Sequence, residues 1–425
     1  MGLKVLLVGG GGREHALAWK LAQSPLLGQL YCAPGNAGIA EVAECVPLGA
    51  EDVGGLLAFA RRAGIDLTVV GPEAPLVLGL ADAFRQAGLK VFGPSKRAAQ
   101  IEGSKALAKE IMAGSGIPTA RFRVCGTPAQ AREAARELGP PVVVKADGLA
   151  AGKGVVVAAT LEEADRAISQ AMEEAAFGAS GLKVVVEERL SGAEASLLAI
   201  TDGRRALPLL PARDYKRALD GDRGPNTGGM GSICPLPEGG PPLDMLSGLI
   251  LLPTLNALAG RGCPFCGLLY AGLMLTAEGP KVLEFNARFG DPETQAILPL
   301  LESDLLEVLA AAVQGCLEGV GLRWSPGFAV CVVLASGGYP GPYKTGFEVS
   351  GLDRARASPG ALVFHAGTAR GPGGGVVTSG GRVLGVTALG ATPAQARERA
   401  YAAAACIEFG GLQRRNDIGG EGMPL

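Results

Sequence analysis

Lys281-Val-Leu-Glu-Phe-Asn-Ala-Arg-Phe-Gly-Asp-Pro-Glu-Thr294 puts three polar groups on one side of an otherwise apolar strand. Side chains alternate faces along a strand, so Glu284, Asn286 and Arg288 are predicted to point one way, and Leu283, Phe285 and Ala287 to point into a core. A carboxylate and an amide oxygen two residues apart suit a hard cation such as Mg2+, and the arginine beside them suits a phosphate or carboxylate. An amphipathic edge strand with a solvated polar face has the same pattern. The turn Thr276-Ala-Glu-Gly-Pro280 precedes it, which predicts a hairpin from Leu268 to Ala287 with Glu284 near the centre of its second strand.

Upstream, Pro141-Val-Val-Val-Lys-Ala-Asp-Gly148 carries Lys145 inside an apolar strand, where an ammonium loses hydration and needs an anion beside it. A lysine snorkelling from an exposed strand end is the structural alternative. Gly148-Leu-Ala-Ala-Gly-Lys-Gly154 follows and is nearly all small residues. Its backbone can approach a phosphate closely, so Gly152, Lys153 and Gly154 read as a cover over nucleotide phosphates, without the strand-to-helix context and terminal Ser/Thr of a P-loop. This unit reads as strand 121–125, helix 129–138, strand 142–146, strand 155–159 and helix 161–176, with Thr160 and Glu163 as a capping box. Lys105 opens the helix before it and offers a third phosphate contact, or a solvated helix lysine. The strand 183–188 then leads to Glu187-Glu-Arg-Leu190, a hinge whose edge backbone suits an adenine, with Glu194 placed for ribose hydroxyls. Glu187 and Glu188 are equally compatible with exposed strand-end carboxylates.

The first hundred residues alternate short apolar runs with helix-period segments: 4–8 before 14–23, 67–70 before 76–87, and 90–92 before a pattern starting near Ser95. That is the rhythm of a parallel α/β sheet. Gly9-Gly-Gly-Gly12 sits where such sheets hold ligands. The four glycines are contiguous, Arg13 follows at once and no acidic residue ends a second strand, so a phosphate cradle fits better than a nicotinamide or flavin site. Pro225-Asn-Thr-Gly-Gly-Met-Gly231, beside the charged run Arg213-Asp-Tyr-Lys-Arg217, is expected to present several backbone N–H groups to a substrate anion. After Trp324 the texture changes to strands at 328–335, 362–365 and 382–387 and a helix at 393–406, a further α+β unit.

The 425 residues leave room for about three domains of ~150 residues each. Lysines and arginines number 39 against 41 aspartates and glutamates, which argues against partners bound through a bulk field, such as nucleic acid or a membrane surface. Small molecules are the expected partners. Met1 runs straight into a strand and no uninterrupted apolar stretch has the ~18 residues of a spanning helix, so a cytoplasmic location is expected. Nine cysteines fit reduced, packed thiols; Cys263-Pro-Phe-Cys266 lacks the second pair or histidines of a zinc site, since His15 and His365 are the only histidines.

The combination of a strand lysine, a glycine cover, a hinge and a later Glu-x-Asn strand resembles the ATP-grasp carboxylate-amine ligases. More closely, the chain resembles the phosphoribosylamine-glycine ligase (glycinamide ribonucleotide synthetase) family. That likeness rests on Gly-Gly-Arg-Glu-His-Ala-Leu-Ala-Trp19, Ala-Pro-Gly-Asn-Ala-Gly38, Val-Gly-Pro-Glu-Ala-Pro-Leu76, Lys-Ala-Asp-Gly-Leu-Ala-Ala-Gly-Lys-Gly154, Gly-Pro-Asn-Thr-Gly-Gly-Met-Gly231, Leu-Glu-Phe-Asn-Ala-Arg-Phe-Gly-Asp-Pro-Glu-Thr-Gln295 and His-Ala-Gly-Thr368. It implies an amino-terminal parallel α/β (pre-ATP-grasp) domain at 1–101, a two-lobed ATP-grasp region at 102–325 with its small lobe at 121–183, and a carboxy-terminal α+β domain at 326–425.

The resemblance also implies a reaction, in which ATP, glycine and 5-phosphoribosylamine give glycinamide ribonucleotide, ADP and phosphate through glycyl phosphate. Mg2+ or Mn2+ would sit on Glu284 and Asn286, and Lys105, Lys145 and Lys153 would face the phosphates. The hinge at Glu187, Glu188 and Leu190 would take adenine, and Glu194 the ribose. Gly10, Gly11, Gly12, Arg13, Asn36, Ala37, Gly38 and Glu73 would meet phosphoribosylamine, with Asn226, Gly228 and Gly229 on the substrate side. Asp214 and Arg288 would hold glycine or its phosphate and, with Lys145, act in catalysis. A monomer, at most a weak homodimer, is expected. Two positions depart from the family pattern: Tyr270 to Leu275 offers no second metal carboxylate, and Tyr215 stands where a histidine is common. Another ATP-grasp ligase or carboxylase, an inactive ATP-binding scaffold and a nicotinamide oxidoreductase are the competing readings; the scaffold is expected to lack Glu284, Asn286 or Lys145, all present here.

Overall fold

The computed structural model describes residues 2–148, 154–174 and 181–420. Its first strand, Leu3–Gly9, is buried from Val5 onward and lies at the centre of five parallel strands, ordered Glu44–Cys45, Leu27–Pro34, Leu3–Gly9, Leu67–Val70, Val91–Phe92. Strand order reverses beside Leu3–Gly9, so Gly9–Gly12 and Gly71–Glu73 border the crevice where open α/β sheets hold ligands. Strand Leu27–Pro34 and helix Val53–Ala63, which the periodicity left unmarked, complete the βαβ rhythm. The helix expected over 76–87 is two, Glu73–Leu78 and Leu80–Gln86, because Gly79 between them takes φ +99°, left-handed backbone that glycine adopts freely.

The small lobe is a four-stranded antiparallel sheet in the order Phe122–Cys125, Val184–Glu188, Val142–Ala146, Val155–Ala158. Helices Pro128–Leu138 and Leu161–Ile168 cover one face, packing small side chains such as Ala131, Ala135 and Ala164 against Val144 and Val186 of the sheet. The other face turns Val143, Lys145, Val155, Val157 and Glu187 towards a large cavity. Thr160 accepts from Glu163 N, while the Glu163 carboxylate accepts from Ala159 N, so the capping box closes one residue early. The helix expected to reach Ala176 passes into a π-helical turn at Ser169–Glu173, and its last two residues lie outside the described ones.

The large lobe pairs Ala206–Pro208, Ala193–Asp202, Cys266–Thr276 and Gly279–Asn286 antiparallel in that order. The expected hairpin is present, with a register shift: Gly272 opposes Glu284 but Leu273 opposes Val282, leaving Leu283 as a bulge. An inserted residue exchanges the two faces beyond it. The expected alternation is therefore corrected: Val282 joins Phe285 and Ala287 in the core, and Leu283 borders the cavity together with Glu284 and Asn286. The run Leu243–Gly260 is, at 18 residues and mean hydropathy 1.4, long and apolar enough for a membrane span by length and composition alone. Its Leu246, Ile250, Leu251, Leu255 and Leu258 side is packed into the large-lobe core.

A second antiparallel sheet runs Arg213–Asp214, Gly231–Cys234, Phe328–Ser336, Arg382–Gly390, Ala361–His365, with Leu412–Gln413 on the end of Phe328–Ser336 and helix Pro393–Ala404 across it. Two of its strands come from upstream of the large-lobe hairpin, so the glycine loop at 225–230 is held between the large lobe and this sheet. The amino-terminal unit is pinned to the same sheet. His365 N donates to His15 Nδ1 at 2.7 Å, and Asn36 Nδ2 donates to the Gly10 and His365 carbonyls at 2.9 and 2.8 Å. Burial, reinforced by His365 and Arg356, pushes His15 down to about 3; burial and Arg356 push His365 down to about 4. Both rings are neutral at pH 7.

Candidate active site

The amino-terminal unit, both lobes and the carboxy-terminal sheet all border one cavity of about 1910 Å³. From the large lobe, Glu284 and Asn286 reach it from the hairpin strand and Arg288 from just beyond, as the opening stretch predicts. Burial works to raise the Glu284 carboxyl, but Lys216, Lys145, Lys105 and Arg288 outweigh it and hold the group below the ordinary carboxylate range. It is therefore an anion facing four cations. A carboxylate and an amide oxygen side by side suit a hard divalent ion. Among the described residues no cluster of three His, Cys, Asp or Glu side chains is placed to hold a metal, so an ion on Glu284 and Asn286 would complete its shell with phosphate and water oxygens.

Lys145 is buried, as the apolar strand around it predicts, and its anion is Glu187: Nζ lies 3.0 Å from Glu187 Oε1 and donates to the Leu283 carbonyl at 3.0 Å. That carbonyl belongs to the bulge. Lys105 borders the cavity and donates to Gly148 O at 2.8 Å, tethering the start of the glycine loop; Gly154 lines the cavity, while Gly152 and Lys153 lie outside the described residues. Ser104 caps the lysine-bearing helix Lys105–Gly114, and Asp147 accepts from both Ser104 Oγ and Ala106 N. The small lobe is thereby fastened to that helix.

One part of the hinge expectation, a free backbone edge at Glu187, requires correction. Val184–Glu188 is an inner strand, so Glu187 is laddered to Phe122 on one side and Val143 on the other and offers no free edge. Its carboxylate is buried against Lys145 and Lys109, and the Glu188 carboxylate binds Arg121 through backbone N and Nε. Neither is an exposed strand end. Leu190 and Glu194 border the cavity beyond the ladder, with Glu194 Oε2 3.1 Å from Lys216 Nζ.

Asp214 lies at the far end with Oδ1 buried and without a hydrogen bond. Burial and the neighbouring Glu293 raise its pKa well above the ordinary value. Glu293 Oε1 accepts from Tyr270 OH at 2.5 Å and Ser196 Oγ at 2.9 Å. Gly229, at φ +108°, lets the loop pass Asp214: a Cβ there would stand 2.6 Å from Oδ1 and 2.4 Å from Pro292 Cδ. The expected nest of free N–H groups is absent from that loop. Thr227 N goes to Lys216 O, Gly228 N to Tyr339 OH, Gly229 N to Thr227 Oγ1 and Met230 N to Tyr215 O. Asn226 and Gly228 still line the cavity; Gly229 lies behind them. Tyr215 is packed beneath the guanidinium of Arg415, and its OH accepts from Gly419 N.

In the amino-terminal crevice, Arg13 and Glu73 reach the cavity. Burial raises the Glu73 carboxyl, but Arg288, 3.2 Å away, and Arg13 hold it low. Gly10, Gly11 and Gly12 stand behind the cavity wall, and close packing explains two of them: a Cβ at Gly10 would meet Gly35 O at 2.5 Å, and one at Gly12 would meet Gln295 Nε2 at 2.6 Å. Gly11 N donates to the chain's own Glu14. Asn36 is engaged at both ends of its amide, since Oδ1 accepts from Gly38 N and Ile39 N. Ala37 is buried, and a Cβ on Gly38 would strike both histidine rings. These three residues brace the two units and do not line the cavity.

Three cavity residues, Glu102, Lys109 and Arg382, have no mark in the sequence. Glu102 accepts from Ala287 N at 2.7 Å and lies 3.5 Å from Arg288 Nε; burial pushes it up to about 6 against the pull of Arg288. Arg382 joins Asp291 to the Gly228 carbonyl. Lys109 and Lys216 flank the carboxylates already described.

The chain matches the phosphoribosylglycinamide synthetase N domain over residues 3–102, its ATP-grasp (A) domain over 103–294 and its C domain over 329–421. It is 52% identical over 417 residues to a phosphoribosylamine–glycine ligase of Caldanaerobacter subterraneus subsp. tengcongensis, covering 98% of this chain and 99% of that one. Its identity to the Brucella melitensis ligase of the same name is 53%, covering 98% and 97%. The crystal structure of phosphoribosylamine–glycine ligase from Thermotoga maritima superposes with a TM-score of 0.85 at 37% identity, covering 98% of this chain and all of that one. The biotin carboxylase domain of a Hydrogenobacter thermophilus carboxylase, solved with MgADP, shares the fold alone, at TM-score 0.74 and 17% identity.

Proposed function

The chain belongs to the phosphoribosylglycinamide synthetase family, and we propose that its cavity makes glycyl phosphate from ATP and glycine and delivers it to 5-phosphoribosylamine. The chain is an ATP-dependent carboxylate-amine ligase that forms glycinamide ribonucleotide, ADP and phosphate in de novo purine biosynthesis. One observation carries the reading of the site: Glu284, Asn286 and Arg288 share a cavity with Lys145 from the small lobe and Lys105 from the start of helix Lys105–Gly114.

Two anions, a triphosphate and a carboxylate, must meet for the first step. Lys105 and Lys145 neutralise the phosphates, and Arg288 orients the glycine carboxylate for in-line attack on the γ-phosphorus. Glu284 and Asn286 would hold Mg2+ or Mn2+, which would supply charge neutralisation for the phosphates. Asp214, half-buried beside Glu293, stands at the glycine end. In the second step the amine of phosphoribosylamine, held from the crevice by Arg13 and Glu73, attacks the acyl carbon, and phosphate departs with the electron pair of the C–O bond. The transition states need no side-chain nucleophile. Exclusion of water, which otherwise hydrolyses the acyl phosphate, is the role that the small-residue sequence 148–154 suggests; its residues 149–153 lie outside the described ones. Leu190 and the apolar wall of Val143, Val155 and Val157 suit adenine, and Glu194 the ribose. Gly10–Gly12 and Asn36–Gly38 shape the crevice from behind. We read residues 1–101 as the phosphoribosylamine side, 102–325 as the ATP-grasp region and 326–425 as the unit closing the glycine end. We read the protein as cytoplasmic and as a monomer, at most a weak homodimer; its balanced charge supports small-molecule partners.

The test is ADP release measured with each component omitted in turn. Release is expected only with ATP, Mg2+, glycine and phosphoribosylamine together; release indifferent to glycine overturns the substrate assignment.

A further inference from the structure

Glu187 lies under the cavity floor, 2% exposed, between two ammonium groups: Lys109 Nζ is 3.0 Å from Oε2 and Lys145 Nζ 3.0 Å from Oε1. The two lysines are held differently. Lys109 is anchored, donating to Thr119 Oγ1 at 2.6 Å, which passes a 2.6 Å bond on to the Val282 carbonyl, and its ammonium lies 5.4 Å from the Phe122 ring centroid. Lys145 is held to Glu187 by charge, since Oε1 has no aligned hydrogen bond, and by one bond to the bulged Leu283 carbonyl. The chemistry proposed above uses Lys145 and leaves Lys109 without a part.

One carboxylate between two ammonium groups is one counter-ion more than neutrality needs. With Lys145 alone, Glu187 would form a closed neutral pair, and drawing Lys145 to a phosphate would strand a buried carboxylate. With Lys109 in place the carboxylate keeps a partner when Lys145 turns away. Burial lowers Lys109 to about 8, opposed by Glu187, so it carries its charge at pH 7.

We infer that Lys109 is a positioning residue for ATP, the standing counter-ion of Glu187 that releases Lys145 to the triphosphate. The inference rests on the reading of Lys145 as a phosphate contact. MgATP binding is titrated calorimetrically without glycine or phosphoribosylamine, alongside thermal unfolding, in Lys109→Gln, Lys109→Arg, Glu187→Gln, Lys109→Gln/Glu187→Gln and Lys145→Gln. Lys109→Gln is expected to weaken binding about tenfold, ~1.4 kcal/mol, and Lys109→Arg, which keeps the charge, to stay within about threefold of the wild type. In the Glu187→Gln background the same Lys109→Gln change is expected to cost less than about threefold, because no carboxylate is left to neutralise. A folded Lys109→Gln that binds like the wild type overturns the inference, as does an equal loss in both backgrounds. Should Lys109→Gln not fold, Glu187→Gln against the double variant decides alone: matched affinities support the inference and a tenfold gap overturns it. Unimpaired binding by Lys145→Gln would instead remove the underlying reading of Lys145.

Discussion

Acid should unfasten the amino-terminal unit from the carboxy-terminal sheet. His15 titrates near 3 and His365 near 4 in the folded chain, against 6.5 for the unreacted side chain. Because the folded values are depressed, the stabilisation is fully present above pH 6.5 and is lost as pH falls towards 4 and then 3, where the unfolded chain takes up protons that the folded one refuses. Between pH 7 and pH 5 each ring accounts for a loss of about 2 kcal/mol. Protonation also removes the His15 Nδ1 lone pair that accepts from His365 N. His15→Asn keeps an acceptor near that position and does not titrate. Urea unfolding is followed at several pH values through Trp19, whose ring lies 5.9 Å from Phe364 across this contact. The wild type is expected to lose about 2 kcal/mol more than His15→Asn between pH 7 and 5. Parallel pH profiles for the two proteins would refute the account.

Glu284→Gln should leave the fold intact and cut turnover by about 10³ or more at saturating Mg2+, the scale of removing charge stabilisation from a phosphoryl-transfer site; unchanged kcat would exclude Glu284 as a metal ligand. Arg415 is fully buried, donating twice to Asp417 at 2.7 Å and once to Asp222 at 2.6 Å, so it fastens the tail to the hairpin formed by Arg217–Leu219 and Arg223–Asn226. Arg415→Met should destabilise the chain by about 3 kcal/mol, the lower end for a broken buried pair because both carboxylates keep some solvent. Hydrogen exchange of the hairpin should quicken with it, and a loss under about 1 kcal/mol would count against the clasp.

Lys145, Glu284 and Asn286 were legible because each sets a charged or amide group in an apolar strand, where burial demands a partner. The glycine run after Leu3–Gly9 was legible as a strand end, but its glycines answer to Gly35 and Gln295, contacts that no local pattern records. The bulge at Leu283 depends on which residue of Cys266–Thr276 lies opposite, a property of pairing and not of either strand. Lys109 looked like any helix lysine, four residues after Lys105, because its carboxylate arrives from Glu187. The paired edge at Glu187 was illegible for the same reason: Val184–Glu188 has the composition of either an edge or a centre, and only Phe122–Cys125 on its open side decides. Strands Arg213–Asp214 and Gly231–Cys234 read as part of the large lobe by position, yet hydrogen-bond into the sheet built on Phe328–Ser336.

The brace at His15 and Asn36 also has a consequence in time. Its two halves lie 350 residues apart in the chain, so at a synthesis rate of ~5–20 residues per second the first half leaves the ribosome roughly 20–70 s before its partner exists. Throughout that interval the flank around His15, Trp19 and Asn36 has no partner and faces water or a chaperone. A release of the chain before Phe364 and His365 are made therefore leaves an apolar seam uncovered, and the last ninety or so residues act on the first forty as the cover that retires it.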